Sequence, residues 1–161
     1  MRIASTVCLV VLLTWTATSA YAVTFPYTAK KEQNIDTHQV GTGTVSLTAD
    51  GTMKINYHFS NGKKIAGNNF YGVTYLQDAN NKVFGYFVQW KGLNGSGGGR
   101  AKEGDVGGVY KLTPAQLARF DHVSFRLGAK NCGLRVTDFH FVDKGFEIGM
   151  DEAECGNVPK G

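Results

Sequence analysis

At 161 residues, net charge +4 and 19 % charged residues, the chain has the size and charge of one globular domain. Those values exclude a disordered polyelectrolyte and leave hardly any room for a second domain. The three cysteines, Cys8, Cys132 and Cys155, are too few for a disulfide-dense miniprotein and form no CxxC ligand pair.

Residues 1–22 read as a secretory signal peptide. Arg2 gives the positive start, Val7 to Leu13 the apolar run, and Ala20, Tyr21 and Ala22 a small-x-small cleavage site. The run is too short to span a bilayer, no later stretch reaches that length, and Cys8 lies away from the boundary a lipoprotein would use. Cleavage near Ala22 predicts a secreted or periplasmic protein. It leaves 139 residues and two cysteines, Cys132 and Cys155, which an oxidising compartment would pair. Such a bridge contributes about 3 kcal/mol by restricting the unfolded chain and ties down the C-terminal tail.

Residues 23–39 lack clear periodicity and are expected to form an N-terminal arm that docks Phe25, Tyr27 and Ile35 on the body. A β-sandwich domain is expected over 40–142, followed by an acidic tail over 143–161. Residues 23–142 hold 14 Lys and Arg against 8 Asp and Glu, whereas the tail holds 2 against 5. A basic body of this kind suits solubility or an anionic partner such as acidic polysaccharide or phospholipid.

The first hairpin runs from Val40 to Phe59 with Asp50 and Gly51 in its turn. A two-residue loop would set Val45 and Leu47 against polar partners. A three-residue loop pairs Leu47 with Met53 and Val45 with Ile55, and puts Gly51 where a type I turn plus bulge needs positive φ. The apolar face then holds Val45, Leu47, Met53, Ile55, Tyr57 and Phe59, with Thr44, Ser46, Lys54, Asn56 and His58 in water.

Lys64 to Asn69 is too polar to be assigned as strand. Phe70 to Leu76 and Val83 to Trp90 form the second hairpin, apolar on both sides and so expected at the centre of a sheet. Tyr71, Val73, Tyr75, Phe84, Tyr86, Val88 and Trp90 are predicted to share one face. Gly92 to Gly108, with eight glycines in seventeen residues, reads as a surface loop, either flexible or ordered by a ligand.

Val109 to Leu112 predicts a short strand. Thr113, Pro114 and Gln116 then spell an N-cap, a first-turn proline and a capping box, so a short helix is expected near 113–120 with Leu117 and Phe120 on one face. Val123, Phe125 and Leu127 alternate as a half-buried strand. In the last strand Leu134 and Val136 are out of phase with Phe139 and Phe141, which predicts a bulge near Thr137 and Asp138. The sum is an all-β chain of about 7–8 strands with one short helix, a single antiparallel β-sandwich or jelly-roll-like domain; a flattened barrel is the alternative.

The chemistry-bearing residues form no strong motif. No GxSxG surrounds a serine, no nucleotide fingerprint is present, and His38, His58, His122 and His140 have no ligand spacing. Asp78 to Asn81 begins like a calcium loop but has Val83 and Gln89 where glycine and the closing acid belong, so it reads as a turn. His58 and His140, with Asp138, form a site only if distant strands bring them together. No cofactor and no metal are expected, nucleic acid is disfavoured by export, and the chain leans towards no enzyme activity. The expected function is non-catalytic binding of a cell-surface glycan, or of an envelope or extracellular protein. Tyr71, Tyr75, Tyr86 and Trp90 would form the stacking face, with Asn94, Arg100 and Lys102 of the glycine-rich loop closing over it. A rival reading makes that face the sandwich core. A small secreted hydrolase or toxin-like factor, and a structural or inhibitory protein acting by contacts alone, are the alternative functions; oligomeric state is left open.

Overall fold

The computed structural model describes residues 23–129 and the backbone of 139–146. The predicted signal peptide, the Cys132 and Cys155 pair, the bulge near Thr137 and Asp138 and the tail from 147 onward lie outside the described residues. Eight strands and one helix follow in the order β1 (Tyr27–Asp36), β2 (Gln39–Leu47), β3 (Thr52–Asn61), β4 (Asn68–Gln77), β5 (Val83–Leu93), β6 (Lys102–Lys111), α1 (Pro114–Arg119), β7 (His122–Ala129) and β8 (Phe139–Phe146). They make two four-stranded antiparallel sheets, β1-β2-β3-β6 and β7-β4-β5-β8.

The sandwich interior is drawn from alternate residues of both sheets, as the period of two requires. Val45, Leu47, Met53, Ile55, Tyr57 and Phe59 face Phe70, Leu76, Phe84, Phe87, Phe125 and Leu127, with Leu112 and Phe120 closing one end. The β2–β3 register is the predicted one, Leu47 opposite Met53 and Val45 opposite Ile55, and Gly51 has φ 84°. The helix also has the predicted start: Thr113 accepts from the Gln116 backbone and the Gln116 side chain accepts from the Thr113 backbone.

Three departures from the sequence reading have physical causes. Residues 27–36 are an edge strand of the first sheet rather than an arm docked outside the sandwich. Long amphipathic side chains mask its alternation, because Lys31 and Gln33 use their polar ends on the edge of β7, donating to the carbonyls of Phe125 (3.0 Å) and Leu127 (3.1 Å). Phe84 belongs to the interior and Val83 to the opposite face, because a register shift puts Val83 opposite Gln77 while Gly85 stays opposite Leu76. About half of the glycine-rich segment is strand: β5 runs to Leu93 and β6 starts at Lys102, leaving 94–101 as loop. β8 runs to Phe146, past the expected domain end at 142.

Those strand glycines are sites of close approach. A Cβ at Gly104 would stand 2.5 Å from Lys91 Cε, and one at Gly107 would stand 2.2 Å from the Ile55 carbonyl oxygen. Reading them as breakers mistook packing for mobility.

Candidate binding site

The two poles of the sandwich are built differently. At one pole α1 and the tight turns 48–52 and 78–82 close the end of the core. Asp78 Oδ1 accepts from the backbone of Asn80 (2.9 Å) and Lys82 (3.0 Å), which makes this segment the turn that its sequence suggested. Asp121 donates its backbone N–H to Gln77, and Arg119 sets its guanidinium 5.0 Å from the Phe84 ring centre. This pole is sealed.

The opposite pole gathers the turn 36–39 and the loops 62–67 and 94–101 around one buried amide. Asn61 donates to the carbonyls of Ala66 (3.0 Å) and Asn94 (3.1 Å), and its oxygen accepts from Gln39 Nε2 (3.1 Å) and the Lys63 backbone (3.2 Å). The two loops also bond to each other directly: Ser96 N–H donates to the Lys63 carbonyl (2.7 Å) and Gly97 N–H to that of Lys64 (2.9 Å). Backbone bonds thus fix the course of the glycine-rich loop.

Where β4 begins and β5 ends, this pole opens a cavity of about 200 Å³ lined by Gly67, Asn68, Asn69, Gly92, Leu93 and Asn94. Asn68 is paired with Leu93, and Asn69 with Gly92. Gly92 supplies no side chain there, so room remains beside the Asn69 amide. Three of the lining residues are asparagines, Asn68 and Asn69 lying on opposite faces of β4 as successive strand residues, and none is acidic, histidine, cysteine or hydroxyl-bearing.

The next rungs of the same hairpin carry the aromatic row. On the face of β4 and β5 turned away from the interior, Tyr71 stands opposite Trp90, Val73 opposite Val88 and Tyr75 opposite Tyr86. This face is therefore distinct from the core between the sheets. Yet Tyr71, Tyr75 and Tyr86 retain only 7, 3 and 2 % of their exposure, and burial pushes the Tyr86 phenol up. Trp90 is half-buried, and its ring centre lies 5.2 Å from that of Tyr71. The expected open platform thus narrows to its Trp90 end, the end next to the cavity. The indole N–H of this half-buried tryptophan is itself shut from solvent and has no hydrogen-bond partner among the described residues, a costly placement.

Of the other expected binding residues, Asn94 lines the cavity, while Arg100 and Lys102 are exposed on the adjoining loop and at the start of β6. Asn68 and Asn69 were missed in the sequence because 64–69 looked only polar; the Gly67, Asn68, Asn69 run just before an aromatic strand was the available signal.

The histidines do not converge. His58 lies on β3 and faces Asp105 on β6, with Nδ1 3.1 Å from its carboxylate, whereas His140 lies on β8 in the other sheet. Asn56 also donates to Asp105 (3.3 Å), and these bonds hold its carboxyl below the usual range. This group is exposed, on the polar outer face of the first sheet. Among the described residues no three His, Cys, Asp or Glu side chains are placed to hold a metal ion, and no helix is long and apolar enough to cross a membrane. No protein-family model, curated protein or solved structure matches the chain.

Proposed function

We propose that the chain is an exported, non-catalytic binding protein for a neutral carbohydrate of a cell surface or envelope, held in the cavity between Asn68, Asn69 and Asn94 and flanked by Trp90. The observation that carries this reading is the cavity's lining. A carboxamide sets a donor and an acceptor side by side, which complements neighbouring sugar hydroxyls, so a small cavity lined by asparagines suits a polyhydroxylated ligand. Trp90, two rungs from the Asn69 and Gly92 pair and on the same face of the sheet, adds an apolar surface against which the C–H face of a sugar ring rests. The lining residues carry no group that exchanges protons near neutral pH, which favours binding over hydrolysis.

A glycan array probed with the chain from Val23 to Gly161 tests the proposal. Binding to neutral oligosaccharides that falls at least about tenfold in Asn69→Ala and in Asn94→Ala is expected, the loss of one or two hydrogen bonds each. Binding that is indifferent to both substitutions would contradict it.

A further inference from the structure

The same pole carries a surface that carbohydrate binding leaves unused. Ile65, at the tip of loop 62–67, is 89 % exposed, the largest exposure of any large apolar side chain among the described residues. A lone exposed isoleucine is commonplace, and its setting is what matters. Lys64 precedes it and is exposed, and the Lys64 stem crosses the neighbouring loop, with Cε 3.2 Å from where a Cβ would stand on Gly98. Arg100 and Lys102, both exposed, follow on the paired loop and the first residue of β6. Among the described residues Lys63 is paired with Asp36 and Glu103 follows Lys102, so Lys64, Arg100 and Lys102 give the tip an excess of positive charge. The backbone bonds between Ser96 and Lys63 and between Gly97 and Lys64 hold the tip in place, and a Cβ on Gly95 would meet the Ile65 backbone at 2.8 Å.

We propose that this tip docks on an anionic lipid bilayer, with Ile65 entering the interface and Lys64, Arg100 and Lys102 meeting the headgroups. Clustered basic side chains are drawn to an anionic leaflet, and an apolar side chain beside them gains by leaving water. Isoleucine decides the partner. A hydrated acidic polysaccharide would satisfy the lysines and arginine but return nothing to an isoleucine held out in solvent. Because the tip is already fixed, docking requires little ordering of chain. The inference does not depend on the sugar-binding reading, since it concerns exposed loop side chains and not the cavity lining.

The test is co-sedimentation of the chain from Val23 to Gly161 with two kinds of vesicle, phosphatidylcholine alone and phosphatidylcholine mixed with phosphatidylglycerol, at low and at high salt. Neither lipid carries a sugar ring. Binding to the mixed vesicles alone, weakened by salt, is expected. Ile65→Ser should weaken it about tenfold through the lost apolar burial, and Lys64→Glu combined with Arg100→Glu should weaken it at least about tenfold through charge reversal. Ile65 is so exposed that its replacement leaves the fold intact, which thermal unfolding of the variant verifies. Absence of binding to the mixed vesicles at low salt would overturn the proposal. So would Ile65→Ser pelleting as the parent does, which would assign the tip to an acidic polymer or an acidic protein surface read by charge alone.

Discussion

Gly72 has no side chain because Tyr57 occupies its place. A Cβ there would stand 2.3 Å from the Tyr57 ring, which lies across the glycine from the facing sheet and shares a hydrogen bond with Thr74 beside it. Burial pushes the Tyr57 hydroxyl far up, so it stays protonated at any working pH. Gly72→Ala should therefore cost about 1–3 kcal/mol in urea unfolding, as an overpacked core does. Gly99→Ala, where a Cβ would meet only the Ser96 carbonyl at 3.6 Å, should be near neutral. Tyr57→Phe leaves the Thr74 hydroxyl unpaired inside the core and should cost about 1–3 kcal/mol in the same measurement. A further residue-level prediction concerns acid. Asp50 is held well below the ordinary carboxylate value, first by Lys111 (2.6 Å), then by Thr48 and Thr52; Asp36 is lowered first by Lys63 and then by the Thr37 backbone. A carboxyl lowered by folding contributes stability that is complete above its unfolded value, about 4, and is lost as pH falls through the folded one. Thermal unfolding followed from neutral pH down to about pH 2 should show stability falling in the acid limb. Asp50→Asn should make that limb shallower; an unchanged slope would mean that the Lys111 contact is ineffective in solution.

Short local signals translated into elements with few errors. The capping box at Thr113 and Gln116 and the glycine at position 51 each depend on neighbours within a few residues, so the sequence carries them completely. Edge strands were harder. β1 pairs with β2 along its whole length, and Lys31, Gln33 and Tyr27 reach across to the free edge of β7; the Val123 N–H donates to Tyr27 Oη at 3.1 Å. Nothing in residues 23–39 taken alone reveals that β7 is there to receive them. These contacts cover an edge that would otherwise be open to another chain. Tyr27→Phe should accordingly speed hydrogen exchange at the Val123 amide while leaving the Leu76 and Phe87 amides protected. Exchange at Val123 as slow as in the parent would show that the seam is held by other means.

The whole molecule has a sealed pole, at α1 and the tight turns, and a pole of loops organised by Asn61. The sandwich was legible because alternation in 45–59 and 70–90 defines two apolar layers. The cavity was not, because its lining comes from residues 67–69 and 92–94, which only the β4–β5 register brings side by side. Asn94 was found from the loop, Asn68 and Asn69 only from the fold. The aromatic face expected from the sequence is open only at one end, since Tyr71, Tyr75 and Tyr86 are buried whereas Trp90 is half-open. On the two proposals together, the amides of this pole would read neutral hydroxyls while its tip would meet an anionic surface. The most direct test of the central claim is an amide-shift titration of the isotopically labelled chain from Val23 to Gly161 with a panel of neutral oligosaccharides. Saturable shifts confined to 67–69, 92–94 and the Trp90 indole are predicted. Shifts centred instead on the His58 and Asp105 face, or none with any sugar of the panel, would contradict the assignment of this cavity as the binding site.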